Sequence, residues 1–232
     1  MSHSAPVPTG LHHVLATDAW FASCPAELQD ALLAQARLWM LRDGETLFAR
    51  GAAAQGLCCV MAGSVRIGAW QADGKASLLA CVEPYQWFGE VSLIDDQPRT
   101  HHAVAEGDTS VLVVPQTALR DWLDAHPAHW RDVARLACGK LRTAFHVLED
   151  MTSLPLEQRL VRHLQLMSKG YGMRAGPARH RVRLSQEQLA HMLGVSRQSV
   201  NRALQALEAR GLIALRYGQI ELLDAAPNPE VR

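Results

Sequence analysis

The stretch from Leu184 to Ala209, LSQEQLAHMLGVSRQSVNRALQALEA, constrains the fold more than any other part of the chain. Ser185, followed three residues later by Gln188, has the pattern of a capping box, which predicts the start of a helix. Gly194 is expected to end that helix, because glycine enters the left-handed cap conformation at little cost. The stretch therefore predicts two short helices joined by one tight turn.

The second of these helices is expected to begin after Ser196, which is a favourable N-cap residue. Its apolar residues recur at helical spacing and would pack against the first helix. Its outer face carries polar and basic side chains near the helix start, with no acidic residue among them. Such a face is what a helix-turn-helix presents to base edges in double-stranded DNA. The candidate DNA-binding residues are Ser196, Arg197, Gln198, Ser199, Asn201 and Arg202.

Charge is distributed unevenly along the chain, although the 23 basic and 23 acidic residues balance overall. Residues 1–154 contain 11 Lys and Arg against 17 Asp and Glu, whereas residues 155–232 contain 12 against 6. A basic part that carries a helix-turn-helix has the charge that binding to phosphates requires. We therefore expect an acidic N-terminal part and a basic DNA-binding part that meet near Pro155.

The N-terminal part has the texture of a β-sheet domain. Residues 1–15 are expected to form a flexible leader, and residues 17–40 a helical entry to a domain that spans residues 16–126. From about residue 42 to residue 115, short apolar or alternating runs are separated by glycines, which predicts a jelly roll or β-roll. Residues 91–96 within it are expected to form one or two helical turns.

A long helix is predicted within residues 127–153, after a short helix at residues 116–126. Apolar and small residues recur along it at steps of four and three, which is the spacing of a coiled-coil seam. We therefore expect two copies of the chain to pair along this helix, although a helix packed on its own domain is the alternative. The seam residues are Trp130, Ala134, Ala137, Leu141, Ala144, Leu148 and Met151.

The C-terminal domain is expected to span residues 154–232. Pro155 breaks the long helix, because a proline disfavours helical backbone in the residue before it. An amphipathic helix is predicted over 156–168, followed by a connector over 169–183 and then the helix-turn-helix. The runs LIALR and QIELL around Tyr217 and Gly218 predict a β-hairpin wing, so the predicted fold class is α+β with a winged helix.

A β-roll, a long helix and a winged helix-turn-helix in this order resemble the CRP/FNR family of bacterial transcription regulators. The motifs that carry the resemblance are FGEVSLIDDQPRT at 88–100 and LGVSRQSVNRAL at 193–204. The resemblance covers nearly the whole chain after the leader. It implies a cytoplasmic, homodimeric regulator that binds a palindromic operator and has RNA polymerase as a further partner.

The first motif resembles the phosphate-binding cassette of that family. Gly89 permits close backbone approach to an anion at the start of a short helix, and Arg99 is able to grip a phosphate with two donors. Thr100 adds a hydroxyl group, and Glu90 is able to accept a hydrogen bond from a ribose hydroxyl. These four residues are the candidate site for a cyclic nucleotide or another small anionic effector. A structural alternative is that Glu90 and Arg99 pair with each other.

The chain departs from the family members that bind cyclic AMP. Their long helix contacts the adenine through a Thr-Ser pair, and the matching positions are Ala144 and Phe145 in this chain. His101 and His102 follow Thr100, where such members have a small residue. A different nucleotide, another small ligand and an empty β-roll that binds DNA without an effector all stay open.

Other classes of protein find little support in the sequence. The five cysteines have no framework spacing, so a reducing compartment is expected, with Cys58, Cys59, Cys81 and Cys138 as small buried hydrophobic residues. No apolar run approaches the roughly 20 residues of a membrane span. A cupin-like enzyme would need a metal or acid–base constellation, and we expect no metal site and no catalytic residue.

Overall fold

The structure is a computed structural model that describes residues 3–5, 8, 10–70, 76–175, 180–216 and 218–223. It divides into two compact units. The first unit contains Met1–Lys140 and Met173–Ala175, and the second contains Leu141–Gly172 and Gly176–Arg232. The division falls inside the long helix, whereas the sequence predicts a boundary between residues 153 and 154.

The start of the first unit is more ordered than the sequence predicts. Within the expected flexible leader, strand β1 (His3–Ala5) pairs antiparallel with strand β2 (Arg37–Leu41), and helix α1 (His12–Leu15) buries Leu15 completely. The backbone pairing of β1 and the burial of Leu15 are long-range contacts, which local composition does not reveal.

Two further helices, α2 (Ala19–Ser23) and α3 (Ala26–Gln35), form the expected helical entry. The prediction that this entry continues to residue 40 is wrong. Residues 37–41 form β2 instead, and there Trp39 pairs with Val111 across the sheet. Pairing with a long neighbouring strand overrides the local helical spacing of the apolar residues.

The remaining strands complete a seven-stranded antiparallel sheet. They are β3 (Thr46–Phe48), β4 (Gly56–Trp70), β5 (Ala76–Val82), β6 (Trp87–Phe88) and β7 (His102–Pro115). The order is β1-β2-β7-β4-β5, with β3 also pairing with β7 and β6 with β4. The β4–β7 pairing shifts register between Val60 and Ser64, and such bulges bend a strand. This sheet is the predicted β-roll.

The sheet separates two apolar cores, which explains its nearly continuous apolar strands. Successive side chains of a strand point to opposite faces. Leu57 and Cys59 of β4 accordingly belong to the core beneath α1, α2 and α3, whereas Cys58 and Val60 belong to the core inside the roll. Both faces are buried, so apolar residues are required at both alternating positions.

The helical segments that follow β6 come in the predicted order. Helix α4 (Glu90–Asp95) lies between β6 and β7, and α5 (Gln116–Ala125) follows β7. A single 3-10 turn (Pro127–His129) then leads into α6 (Trp130–Ser153), which is the predicted long helix.

The second unit contains the predicted winged helix-turn-helix. Helix α7 (Leu156–Ser168) is followed by strand β8 (Arg181–Val182), helices α8 (Gln186–Leu193) and α9 (Arg197–Ala209), and strands β9 (Ile213–Arg216) and β10 (Gln219–Leu222). The sheet order is β8-β10-β9, so β8 adds to the hairpin a strand that the sequence does not predict. Tyr217, expected at the hairpin turn, lies outside the described residues.

Candidate effector site and nucleic-acid interface

Arg99 lies at the centre of the candidate effector site and is only 3% exposed. Its Nη1 donates to the carbonyl oxygen of Gly89 at 2.9 Å, and its Nη2 donates to that of Gly56 at 2.6 Å. The guanidinium also lies over the ring of Phe48, with Cζ 4.2 Å from the ring centroid. Burial lowers the pKa of Arg99, although its usual value is so high that the group stays charged.

Two glycines make this arrangement possible. Gly89 has a φ of 95°, and a Cβ there would lie 2.7 Å from Nη1 of Arg99. Gly56 has a φ of 143°, and a Cβ there would overlap the carbonyl oxygen of Val114. A Cβ at position 89 would crowd the guanidinium itself, whereas the glycine at position 56 lets β4 pass close to the backbone at Val114. The sequence motif identifies Gly89, whereas Gly56 and Phe48 lie far from it in the chain and were missed.

Glu90 is brought beside Arg99, but its partner is Lys140. The Nζ of Lys140 in α6 lies 2.6 Å from Oε2 of Glu90, whose side chain is 3% exposed. The predicted alternative, in which Glu90 and Arg99 pair with each other, is therefore not what the structure contains. Sequence reasoning missed Lys140. The available signal was a single lysine in the predicted long helix, between the seam residues Ala137 and Leu141.

Thr100 stands apart from the buried members of the cassette. It is exposed, and its Oγ1 lies 2.9 Å from Nδ1 of the neighbouring His101. Burial is the main cause that lowers the pKa of His101, and the positive charge of Arg50 adds to it. The structure thus places Gly89, Glu90 and Arg99 together, with Thr100 at the outer edge.

Four of the five cysteines are buried, among them Cys58, Cys59 and Cys81, whose burial the sequence predicts. Burial raises the pKa of Cys24, Cys58 and Cys81 to about 12, and it also raises that of Cys59 well above its usual value. The prediction that Cys138 is buried is wrong, because it lies on an exposed side of α6. Across the described ranges, no group of three or more His, Cys, Asp or Glu side chains is arranged to hold a metal ion.

The recognition helix α9 is positioned by its caps and its apolar face. Ser185 Oγ accepts from the Gln188 amide at 3.1 Å, and Gln188 Oε1 accepts from the Ser185 amide at 2.7 Å, which confirms the capping box of α8. Ser196 Oγ accepts from the Ser199 amide at 3.1 Å and caps α9. Val200, Ala203, Leu204 and Leu207 of α9 are buried.

The opposite side of α9 is open. Arg197, Gln198 and Arg202 are exposed, and within the described part of the chain none of them has a hydrogen bond or ion pair. Ser196 and Ser199 serve the cap, with their hydroxyl oxygens 2.9 Å apart. Asn201 is half-buried at the edge of the face. Gln205, one turn further along, is also exposed, and sequence reasoning missed it.

The candidate seam on α6 changes character along the helix. Trp130, Ala134 and Ala137 are half-buried, whereas Ala144 is exposed. The large apolar seam residues beyond Lys140 are exposed in the single chain: Leu141 by 52%, Leu148 by 59% and Met151 by 44%. Phe145, which is 58% exposed, lies beside them and was not predicted for the seam. Large apolar side chains at successive turns of one exposed helix mark an interaction surface.

Comparisons with known proteins agree with this geometry. A family model for the cyclic nucleotide-binding domain matches residues 39–126, and one for the Crp-like helix-turn-helix domain matches residues 158–226. The chain is 31% identical over 183 residues to the CRP-like cAMP-activated global transcriptional regulator of Mycobacterium tuberculosis, covering 78% of this chain and 82% of that protein. It is 30% identical over 191 residues to the cyclic AMP receptor protein of Thermus thermophilus, covering 82% and 85%.

The fold also matches a solved structure, that of FixK2 from Bradyrhizobium japonicum. The TM-score is 0.71 at 23% identity, with 82% of this chain and 93% of that chain covered. A β-roll, a long helix and a winged helix-turn-helix define a class of DNA-binding transcription regulators. The chain belongs to the CRP/FNR family of that class, which confirms the resemblance seen in the sequence.

No helix in the described part of the chain is both long enough and apolar enough to span a membrane.

Proposed function

We propose that this regulator acts in the cytoplasm as a homodimer that reads a palindromic operator through α9 and takes a small anionic effector in its β-roll. One observation supports DNA binding above all. The side chains of Arg197, Gln198 and Arg202 on α9 are exposed and have no partner within the described chain. Two arginines and a glutamine are suited to the major groove, because their side chains can form paired hydrogen bonds with base edges.

The exposed apolar strip on α6 supports pairing of two copies. Leu141, Phe145, Leu148 and Met151 would be covered by the same residues of a second chain, which removes apolar surface from water. A symmetric pair carries two copies of α9, so its operator half-sites should be about one helical turn, roughly 34 Å, apart. We also propose that the regulator contacts RNA polymerase, because the family to which it belongs consists of transcription regulators.

A selection from random double-stranded DNA tests the DNA part of the proposal. The wild type should enrich a palindrome, whereas Arg202→Ala should lose about 1–3 kcal/mol of binding free energy and relax one base pair of each half-site. A matched control is Arg210→Ala, because Arg210 pairs with Glu157 at 3.0 Å beyond the end of α9. A wild type that enriches no sequence would overturn the proposal.

The residues of the β-roll fit an anionic effector in their chemistry. Arg99 uses two of its five N–H groups on backbone carbonyls, and its Nε is buried without a hydrogen-bond partner in the described chain. Gly89 leaves room for close approach of an anion, and Thr100 offers an exposed hydroxyl. Glu90 would accept from a hydroxyl group in competition with Lys140. Two relatives are named for cyclic AMP, so a cyclic nucleotide is the proposed effector class.

A second candidate is a regulator that binds DNA without an effector. This candidate is favoured because both charged side chains of the site already have partners within the protein. Arg99 donates to two backbone carbonyls, and Glu90 forms an ion pair with Lys140. Calorimetry with cyclic AMP and cyclic GMP separates the two candidates. Binding that Arg99→Ala weakens by about tenfold or more supports the effector. No heat, together with operator binding in the absence of nucleotide, supports the second candidate.

A further inference from the structure

Asn201 differs from Arg197, Gln198 and Arg202 because its side chain already has a partner. Gln186, the first residue of α8, donates from Nε2 to Oδ1 of Asn201 at 3.2 Å. Both side chains are half-buried, whereas Arg197, Gln198 and Arg202 are exposed. The pair therefore links α8 to α9 at the edge of the open face.

The position of Asn201 on α9 agrees with this role. A helix turns by about 100° per residue, so Asn201 lies about 60° from Gln198 and about 100° from Arg202 around the axis. Asn201 is thus displaced from the centre of the open face, on the side where α8 packs. A side chain at that edge would lie nearer to the wall of the major groove than to its floor, where the base edges are.

The hydrogen bond also limits what Asn201 is able to read. Paired recognition of adenine by asparagine needs Oδ1 to accept from the base and Nδ2 to donate to it. Here Oδ1 already accepts from Gln186 and is turned toward α8, whereas Nδ2 donates to no residue that the structure describes. An amide held in this way is suited to donate to an acceptor-only group, such as a phosphate oxygen.

We propose that Gln186 and Asn201 act as one unit that fixes α8 against α9 and binds a DNA phosphate through Nδ2 of Asn201, without reading a base. Gln186 is a positioning residue in this arrangement. The inference rests on the proposed function and deepens it. It distinguishes a contact that positions the protein on the DNA backbone from the contacts that read bases on the same surface.

The test is a random-DNA selection combined with affinity measurements on the selected operator and on unrelated DNA. Asn201→Ala should weaken both affinities by the same factor, about tenfold, because a hydrogen bond to a charged group is lost. The selected sequence should not change. The slope of affinity against salt should also stay the same, since a neutral amide releases no counterions from DNA.

Two further variants separate phosphate binding from a purely structural link. Asn201→Asp keeps an oxygen for Gln186 but removes the donors, so it should bind all DNA more weakly than Asn201→Ala does. Gln186→Ala should weaken binding, and the double variant Gln186→Ala/Asn201→Ala should be no weaker than Asn201→Ala alone. Gln158→Ala, an exposed amide on α7, is the matched control and should leave binding unchanged. Thermal unfolding of each variant checks that it is folded.

The outcomes are distinguishable. If Asn201→Ala shifts or relaxes the preferred base at one position, Asn201 reads a base. This inference is then overturned, whereas the proposed function stands. If Asn201→Asp binds as tightly as the wild type, the phosphate contact is overturned and only the helix link stands. If the wild type enriches no sequence, the proposed function fails, and this inference fails with it.

Discussion

Lys140 Nζ lies 2.6 Å from Oε2 of Glu90, so the long helix supplies the counter-ion of a carboxylate that is buried in the cassette. Removing one partner of a buried ion pair leaves an uncompensated charge, which costs more than the pair itself contributes. Lys140 is one-third exposed, so we place this cost toward the lower end of the range for fully buried pairs.

Replacement of Lys140 is therefore expected to be costly. Lys140→Met should lower the free energy of unfolding by roughly 2–4 kcal/mol in urea denaturation. The double variant Lys140→Met/Glu90→Gln should recover most of that loss, because no buried charge is left without a partner. Arg135→Met is the matched control on the same helix, since its pair with Asp132 is more exposed and should change stability by less than about 1 kcal/mol. Equal effects of Lys140→Met and Arg135→Met would contradict the assignment.

Pairing of two chains along α6 is expected to be lost when like charges are placed in the strip. Leu141→Lys/Leu148→Lys puts two ammonium groups of each chain opposite those of the other, which should yield monomers in light scattering. His146→Lys is the control, because His146 is exposed about 140° around the helix from Leu141. A dimer that survives the double substitution means that copies associate through another surface.

The stability of the fold should depend on pH because Asp18 is buried and ionises near neutral pH. Asp18 is 2% exposed and caps α2 by accepting from the Phe21 amide at 2.9 Å, and burial raises its pKa from 3.8 to about 7. The folded chain therefore holds this proton more tightly than the unfolded chain. Stability should fall as the pH rises from about 4 to about 7, and the ionised carboxylate should cost roughly 2–4 kcal/mol above that range.

Asp18→Asn tests this dependence, because asparagine keeps the capping oxygen but cannot ionise. The variant should be more stable than the wild type at pH 8, and the difference should shrink toward pH 4.5. The measurement is urea denaturation at both pH values. Asp121→Asn, an exposed aspartate that changes the net charge equally, is the control and should show no such trend. A constant difference between Asp18→Asn and the wild type at all pH values would mean that Asp18 does not titrate in this range.

Base preference should respond to the residue at position 198. Glutamine offers a donor and an acceptor, which suits adenine in the major groove, whereas glutamate accepts from the amino group of cytosine. Gln198→Glu should therefore move the selected base toward cytosine in a random-DNA selection. The base read by Arg202 should stay guanine, to which an arginine can donate two hydrogen bonds. If the wild type and Gln198→Glu select the same base, Gln198 contacts only the DNA backbone.

The features that the sequence predicts well are local ones. Ser185 and Gln188 are three residues apart, so their capping box follows from the sequence alone, and the structure has both of its hydrogen bonds. Helix α7 begins and ends where its apolar spacing predicts, because Pro155 sets its start. The cassette motif likewise locates Gly89, Glu90 and Arg99.

The features that the sequence does not predict depend on residues far apart in the chain. The partner of Glu90 is 50 residues away, and one carbonyl that binds Arg99 is 43 residues away. Strand β1 exists because it pairs with β2, although its own three residues, HSA, give no strand signal. Side-chain partners and edge strands depend on how the sheet packs, so they cannot be predicted from the pattern of neighbouring residues in the sequence.

The burial of four thiols and the exposure of Cys138 have a practical consequence for spectroscopy. Burial raises the pKa of these four thiols well above its usual value, so they are protonated at neutral pH and out of reach of reagents. A nitroxide or fluorophore reagent should therefore attach to the native chain at Cys138. That position adjoins Ala137 in α6. A pair of labels on two associated copies would therefore measure the separation of their long helices directly, without any engineered cysteine.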